Sequence, residues 1–111
     1  MARFVILLFE PFGTTGWEDA PQEVLEAHGG YAAEIERLGG KLLSGEALFP
    51  TPQAKTIRGG AVTDGPAVDS KEGFLAFNVI EAKDLDHAVE IAKACPLSPG
   101  GYVEVRPAIE D

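Results

Sequence analysis

The chain has 111 residues, 45% hydrophobic and 24% charged, which describes one globular domain over 1–111 and excludes the disordered and fibrous classes. Eighteen Asp/Glu against nine Lys/Arg leave a net charge of −9, and the cations are dispersed, so nucleic-acid binding and docking to anionic membranes are excluded as functions. One cysteine makes no intrachain disulfide, which fits a reducing cytoplasm, and the longest apolar run, Phe4 to Phe9, is too short for a membrane span or a signal-peptide core.

Phe4 to Phe9 reads as a strand, apolar on both faces and therefore covered on both. Glu10 to Gly16 is a loop. Pro21 to Leu38 reads as one amphipathic helix, with Val24, His28, Tyr31, Ile35 and Leu38 along one face. Asp19 and Gln22 suit a capping-box start, and Gly29-Gly30 in mid-helix calls for a compensating close approach to a strand or a partner subunit. Lys41 to Leu48 follows as a strand. Thr56-Ile57-Arg58 and Ala61-Val62-Thr63, joined by Gly59-Gly60, form a hairpin. Asp64 to Gly73 is a polar loop and Phe74 to Glu81 a strong strand. A second helix buries Leu85, Ala88, Val89, Ala92 and Cys95, capped by Asp84 and stopped before Pro96; Tyr102 to Arg106 is the last strand.

The order is β-α-β, hairpin, β-α-β, which predicts a ferredoxin-like α+β domain with an antiparallel sheet. Strand parity assigns one sheet face to the helices. The other mixes apolar residues with Asn78, Glu104 and Arg106. A first strand apolar on both sides predicts that this second face is covered by a second copy, giving a homodimer with a partly polar enclosed cavity.

Short runs carry a family resemblance: Leu43-Ser44-Gly45-Glu46-Ala47-Leu48 with Pro50, Thr56-Ile57-Arg58, Val62-Thr63-Asp64-Gly65-Pro66, Lys71-Glu72, Cys95-Pro96, and Val103-Glu104-Val105-Arg106-Pro107. In this order and spacing, along the whole chain, they resemble the DGPF (YCII-related) family of small bacterial proteins. The resemblance implies a ferredoxin-like fold pairing into a dimeric α/β barrel. Most members have no established reaction; related ones include a dehydrochlorinase of chlorinated hydroxyquinols and domains associated with alternative sigma factors. This chain departs from the pattern at Ala67, where the family has Phe, at Asp69, where Glu is usual, and at Leu75-Ala76, where a glycine pair usually opens the strand. The smaller Ala67 would open whatever pocket that Phe closes.

His28 on the helix stripe is a candidate general base, since imidazole titrates near neutrality; some relatives carry a helix histidine close to this position. A half-buried histidine bonded to a carbonyl is the plainer alternative. Asp64 is a second catalytic candidate, with a turn role before Gly65-Pro66 as its alternative. Arg106, on the mixed face, is the third: it would neutralise a developing oxyanion, or pair with Glu104. Glu46, Lys71, Glu72, Asn78 and Glu104 are candidate substrate contacts. His87 and Glu90 lack a third ligand and read as a solvated face, so no metal site is expected. Cys95 reads as core.

Two functions fit. The first is a cofactor-independent isomerase or lyase acting on a small organic acid or phenol in a dimer-enclosed cavity. The second is a non-catalytic metabolite-binding or regulatory module, tied to transcription through a protein partner.

Overall fold

The computed structural model describes residues 1–68 and 70–110; Asp69, one of the departures from the family pattern, lies outside them. Strands β1 (Ala2–Glu10), β2 (Lys41–Ala47), β5 (Gly73–Ala82) and β6 (Tyr102–Pro107) form a four-stranded antiparallel sheet in the order β2-β5-β1-β6. Helices α1 (Gln22–Gly29) and α2 (Tyr31–Arg37) connect β1 to β2, and α3 (Leu85–Lys93) connects β5 to β6. This is the ferredoxin-like arrangement expected from the order of elements. Within one chain the sheet is open and does not close into a barrel. The predicted hairpin forms a separate two-stranded sheet, β3 (Lys55–Arg58) against β4 (Ala61–Asp64), with Gly59 and Gly60 at positive φ in the turn.

Alternate residues of β1 set the layers. Phe4, Ile6 and Leu8 are buried and pack with Tyr31, Ile35, Ile80, Ile91 and Cys95 into the core. Register carries the same face across the sheet: Ile6 opposes Asn78 on β5 and Val105 on β6. The other face holds Val5, Leu7, Phe77 and Val79, partly buried, with Glu104 and Arg106 at the β6 edge. Asn78 therefore lies on the helix side, and not with Glu104 and Arg106 as parity alone suggested.

The expected single helix is two. Gly30 serves as C-cap of α1 and N-cap of α2. A Cβ at Gly29 would meet nothing within 4 Å, and one at Gly30 only the Ala27 carbonyl at 3.8 Å. Within the chain the glycine pair therefore serves no close approach to a strand; two adjacent glycines interrupt the helix. Pro21 sits at the N-cap with no side-chain cap, so the expected Asp19–Gln22 capping box does not form. In α3 the Asp84 carboxylate accepts from the His87 N–H at 2.8 Å, as a cap should. The buried face of α3 is Ala88, Ile91 and Ala92, while Leu85 and Val89 are exposed.

Candidate functional site

The loop after β1 builds one wall of the site. Gly13 donates its N–H to the Glu10 carbonyl, and the Thr51 N–H donates to the Gly13 carbonyl at 2.9 Å. Trp17 then donates its indole N–H to the Leu75 carbonyl at 3.2 Å, which fixes the ring against β5. Phe12 packs edge-on to Trp17 at 5.3 Å, and the His28 ring packs edge-on to the same indole at 5.5 Å.

His28 is held by α1, one helical turn after the buried Val24. Together with Trp17, Leu8, Leu25, Ala76 and Asn78 it lines a cavity of about 550 Å³ between α1 and the sheet. The His28 Nε2 is buried and has no hydrogen-bond partner. Burial holds the imidazole below the ordinary histidine value, and a backbone contact with Pro96 pulls the other way but is the smaller effect. At neutral pH the ring is therefore neutral, with proton-accepting capacity intact.

Of the eight residues named from sequence, this cavity gathers His28, Asn78 and Glu46. Asn78 enters from β5 on the helix side. Glu46 borders the cavity from the edge strand, opposite Phe77, whose row is the uncovered face. Asp64 closes the hairpin in an exposed ion pair with Lys55. Arg106 and Glu104 lie 4.0 Å apart, both largely exposed, on the uncovered face. Lys71 is exposed, and Glu72 lines a different cavity. Ala67, also exposed, borders a shallow hollow on the hairpin.

His87 is not a solvated residue. Its Nε2 lies 2.7 Å from the Leu38 carbonyl, and its Nδ1 accepts the Lys83 N–H at 3.0 Å, so the ring ties the start of α3 to the end of α2. Cys95 is core: burial pushes its thiol up to about 12, which keeps it protonated and a poor nucleophile. Among the described residues no cluster of His, Cys, Asp and Glu could hold a metal ion, and no helix is long and apolar enough to cross a membrane.

Sequence reasoning missed Glu10. It continues the Phe4, Ile6, Leu8 parity of β1 onto the core face, which was the available signal. Its side chain is completely buried, and both carboxylate oxygens accept the Ser98 N–H, at 3.2 and 3.1 Å. Gly101 packs so closely that a Cβ there would stand 2.1 Å from Oε1. Glu10 thereby anchors the 95–101 segment, whose Pro96 contacts His28. Burial raises the Glu10 pKa above its ordinary 4.5, against the opposing pull of the Ser98 bonds. Between 4.5 and that raised value the native state keeps a proton that the unfolded chain has lost. The contribution is full below 4.5 and is lost as pH rises through the native value. Denaturant titrations across this window should show wild type losing stability relative to Glu10→Gln as pH climbs; parallel profiles would contradict the assignment.

Two comparisons bear on this architecture. A curated, uncharacterized protein of Rhizobium meliloti (strain 1021) is 42% identical over 76 residues. The match covers 61% of this chain and 60% of that protein. The family model of the YCII-related domain matches residues 4–110, from the third residue of the sheet's central β1 to beyond β6. With nearly the whole chain matched and the ferredoxin-like sheet in place, the chain belongs to the YCII-related domain family.

Proposed function

We propose that the cavity under α1 binds a small organic acid or phenol and that His28 moves a proton on it, in a cofactor-independent isomerisation or elimination of HX. The observation that carries this reading is the unpartnered Nε2 of a neutral histidine at a cavity wall. Buried polar atoms are paired as a rule, so an orphaned one on a residue that lines a cavity is suited to a bond with something that enters it. In an elimination, Nε2 takes the proton from the carbon next to the one bearing X. The C–H electron pair becomes the new double bond, and X leaves as the anion. The Asn78 amide lies in the same cavity and can donate to a developing oxyanion, the role first considered for Arg106. The test is a panel of phenols and small carboxylic acids scored for turnover with wild type and His28→Gln; a substrate turned over equally by both would overturn it.

The alternative is a non-catalytic metabolite-binding or regulatory module. One observation favours it: Asp64 and Arg106 line no part of the His28 cavity, so that cavity offers a single proton-transfer group besides the bordering Glu46. Saturable ligand binding without turnover would support this reading.

Assembly is part of the proposal. Val5, Leu7, Phe77 and Val79 form an apolar surface that the chain's own helices do not cover. A second copy laid on that face would form a homodimer and enclose Glu104 and Arg106 between the sheets. Sedimentation equilibrium at micromolar concentration should return a dimer, and a well-folded monomer would contradict it. The unpaired Cys95 supports a reducing, cytoplasmic setting.

A further inference from the structure

A second cavity, of about 690 Å³, shares no lining residue with the His28 cavity. It opens at the end of the uncovered sheet face, where β1 ends and β5 and β6 begin. Register sets Tyr102 opposite Phe9 and Phe9 opposite Phe74, so three aromatic side chains cross three neighbouring strands in one row. Phe9 and Tyr102 stack at 4.9 Å with 15° between their planes, and Phe74 leans on Phe9 at 5.4 Å. Phe49, 80% exposed, stands at the rim. Among the described residues lining the cavity, Glu72 is the one formal charge, and no Lys, Arg or His faces it.

Each of these features selects ligand charge in the same direction. Aromatic faces carry negative potential and attract cations held over them. A half-buried carboxylate in an apolar wall attracts a cation more strongly than one in open water, and the chain's −9 repels anions on approach. Phe9 is stacked between its two neighbours, so the aromatic surface left for a planar body is that of the exposed Phe74 and Tyr102. We propose that this cavity binds a small organic cation, an ammonium carried on an aromatic body, with the ring on the Phe74–Phe9–Tyr102 row and the charge against Glu72. Glu72 is then a ligand contact in a site independent of His28.

The test uses benzyltrimethylammonium as probe, titrated into the protein in its solution assembly. Calorimetry and the aromatic NMR signals of Tyr102 and Phe74 give the readouts. Saturable binding is expected, with affinity lowered about tenfold in Glu72→Gln and at least that much in Tyr102→Leu. His28→Gln should leave the affinity unchanged. Phenylacetate, similar in shape and opposite in charge, should bind at least about tenfold more weakly. Equal affinity for phenylacetate would overturn the proposal, and so would indifference to Glu72→Gln. Tyr102 and Phe74 signals unmoved to about 10 mM probe would overturn it as well, whether the row is closed by a second copy or simply binds nothing.

Discussion

Gly13→Ala should destabilise the protein by about 2–3 kcal/mol, beyond the cost of an ordinary loop substitution. A Cβ at Gly13 would stand 2.3 Å from the Gly73 Cα and 2.4 Å from its N. The obstacle is backbone, and it belongs to the first residue of β5, which pairs with the buried Glu10. Neither partner can turn aside as a flexible side chain would. The contact is reciprocal, since a Cβ at Gly73 would stand 2.5 Å from the Gly13 Cα. The loop that carries Trp17 therefore has to lift off the sheet, and the wall of the His28 cavity lifts with it. For a domain of this size the loss corresponds to a fall in Tm of roughly 8–15 °C. Gly29→Ala is the matched control: its Cβ meets nothing, and it restores a better helix former, so it should hold or slightly raise the Tm. A Gly13→Ala protein melting with wild type would show that the first loop is not held as described.

His28→Gln should reduce turnover of a true substrate by about 10²- to 10⁴-fold, the usual contribution of a positioned general base. Its effect on stability should be small. A structural histidine is costly to replace because its partners lose their bonds, but the His28 Nε2 has no partner to strand and the ring's one backbone contact is with Pro96. His28→Leu, which removes the orphaned polar atom altogether, should be at least as stable as wild type, a cost that functional groups commonly impose. The pH dependence follows from the direction of the shift. Burial lowers the His28 pKa from 6.5, so the base is fully available at neutral pH and the acid limb of the rate profile falls below 6.5. The same shift makes wild type gain stability relative to His28→Leu as pH rises from the native pKa of His28 to 6.5, because the unfolded state holds the proton there. A large stability loss in both variants, with unchanged turnover, would return His28 to the core.

The sheet was legible in the chain because its strands are short apolar, β-branched and aromatic runs bounded by Gly- and Pro-containing loops, as Phe4 to Phe9 is by Pro11 and Gly13. The faces of β5 were not. Both rows of that strand are largely apolar, and a register shift between Leu8 and Phe9 brings Phe74 beside Phe9, against its parity with Ala76 and Asn78. A bulge of one residue leaves no mark in composition, and it is what assembles the aromatic row. Parity alone sets Asn78 on the wrong face for the related reason that its apolar neighbours on either side look alike. His87 read as a surface residue because the carbonyl it meets, that of Leu38, is exposed only by the helix ending there. The break between α1 and α2 is visible as Gly29-Gly30; the glycines that permit close approach within the chain are Gly13, Gly16, Gly40, Gly73 and Gly101, in loops and at element ends, and Gly45 inside β2. For the site, the stripe Val24, His28, Tyr31 located His28, while the cavity it lines is assembled with residues of β1, β2 and β5 that are distant in sequence.

If His28 meets the ligand, an NMR titration of the two histidine rings will show it. Candidate phenols and carboxylic acids are added to the native protein, and the imidazole signals of His28 and His87 are followed together. His87 is the internal control, because both of its ring nitrogens are already engaged. A saturable shift of the His28 signals is expected, with a change in the apparent pKa of that ring on binding and no response from His87. A ligand that binds and raises the Tm while the His28 signals stay fixed would contradict it.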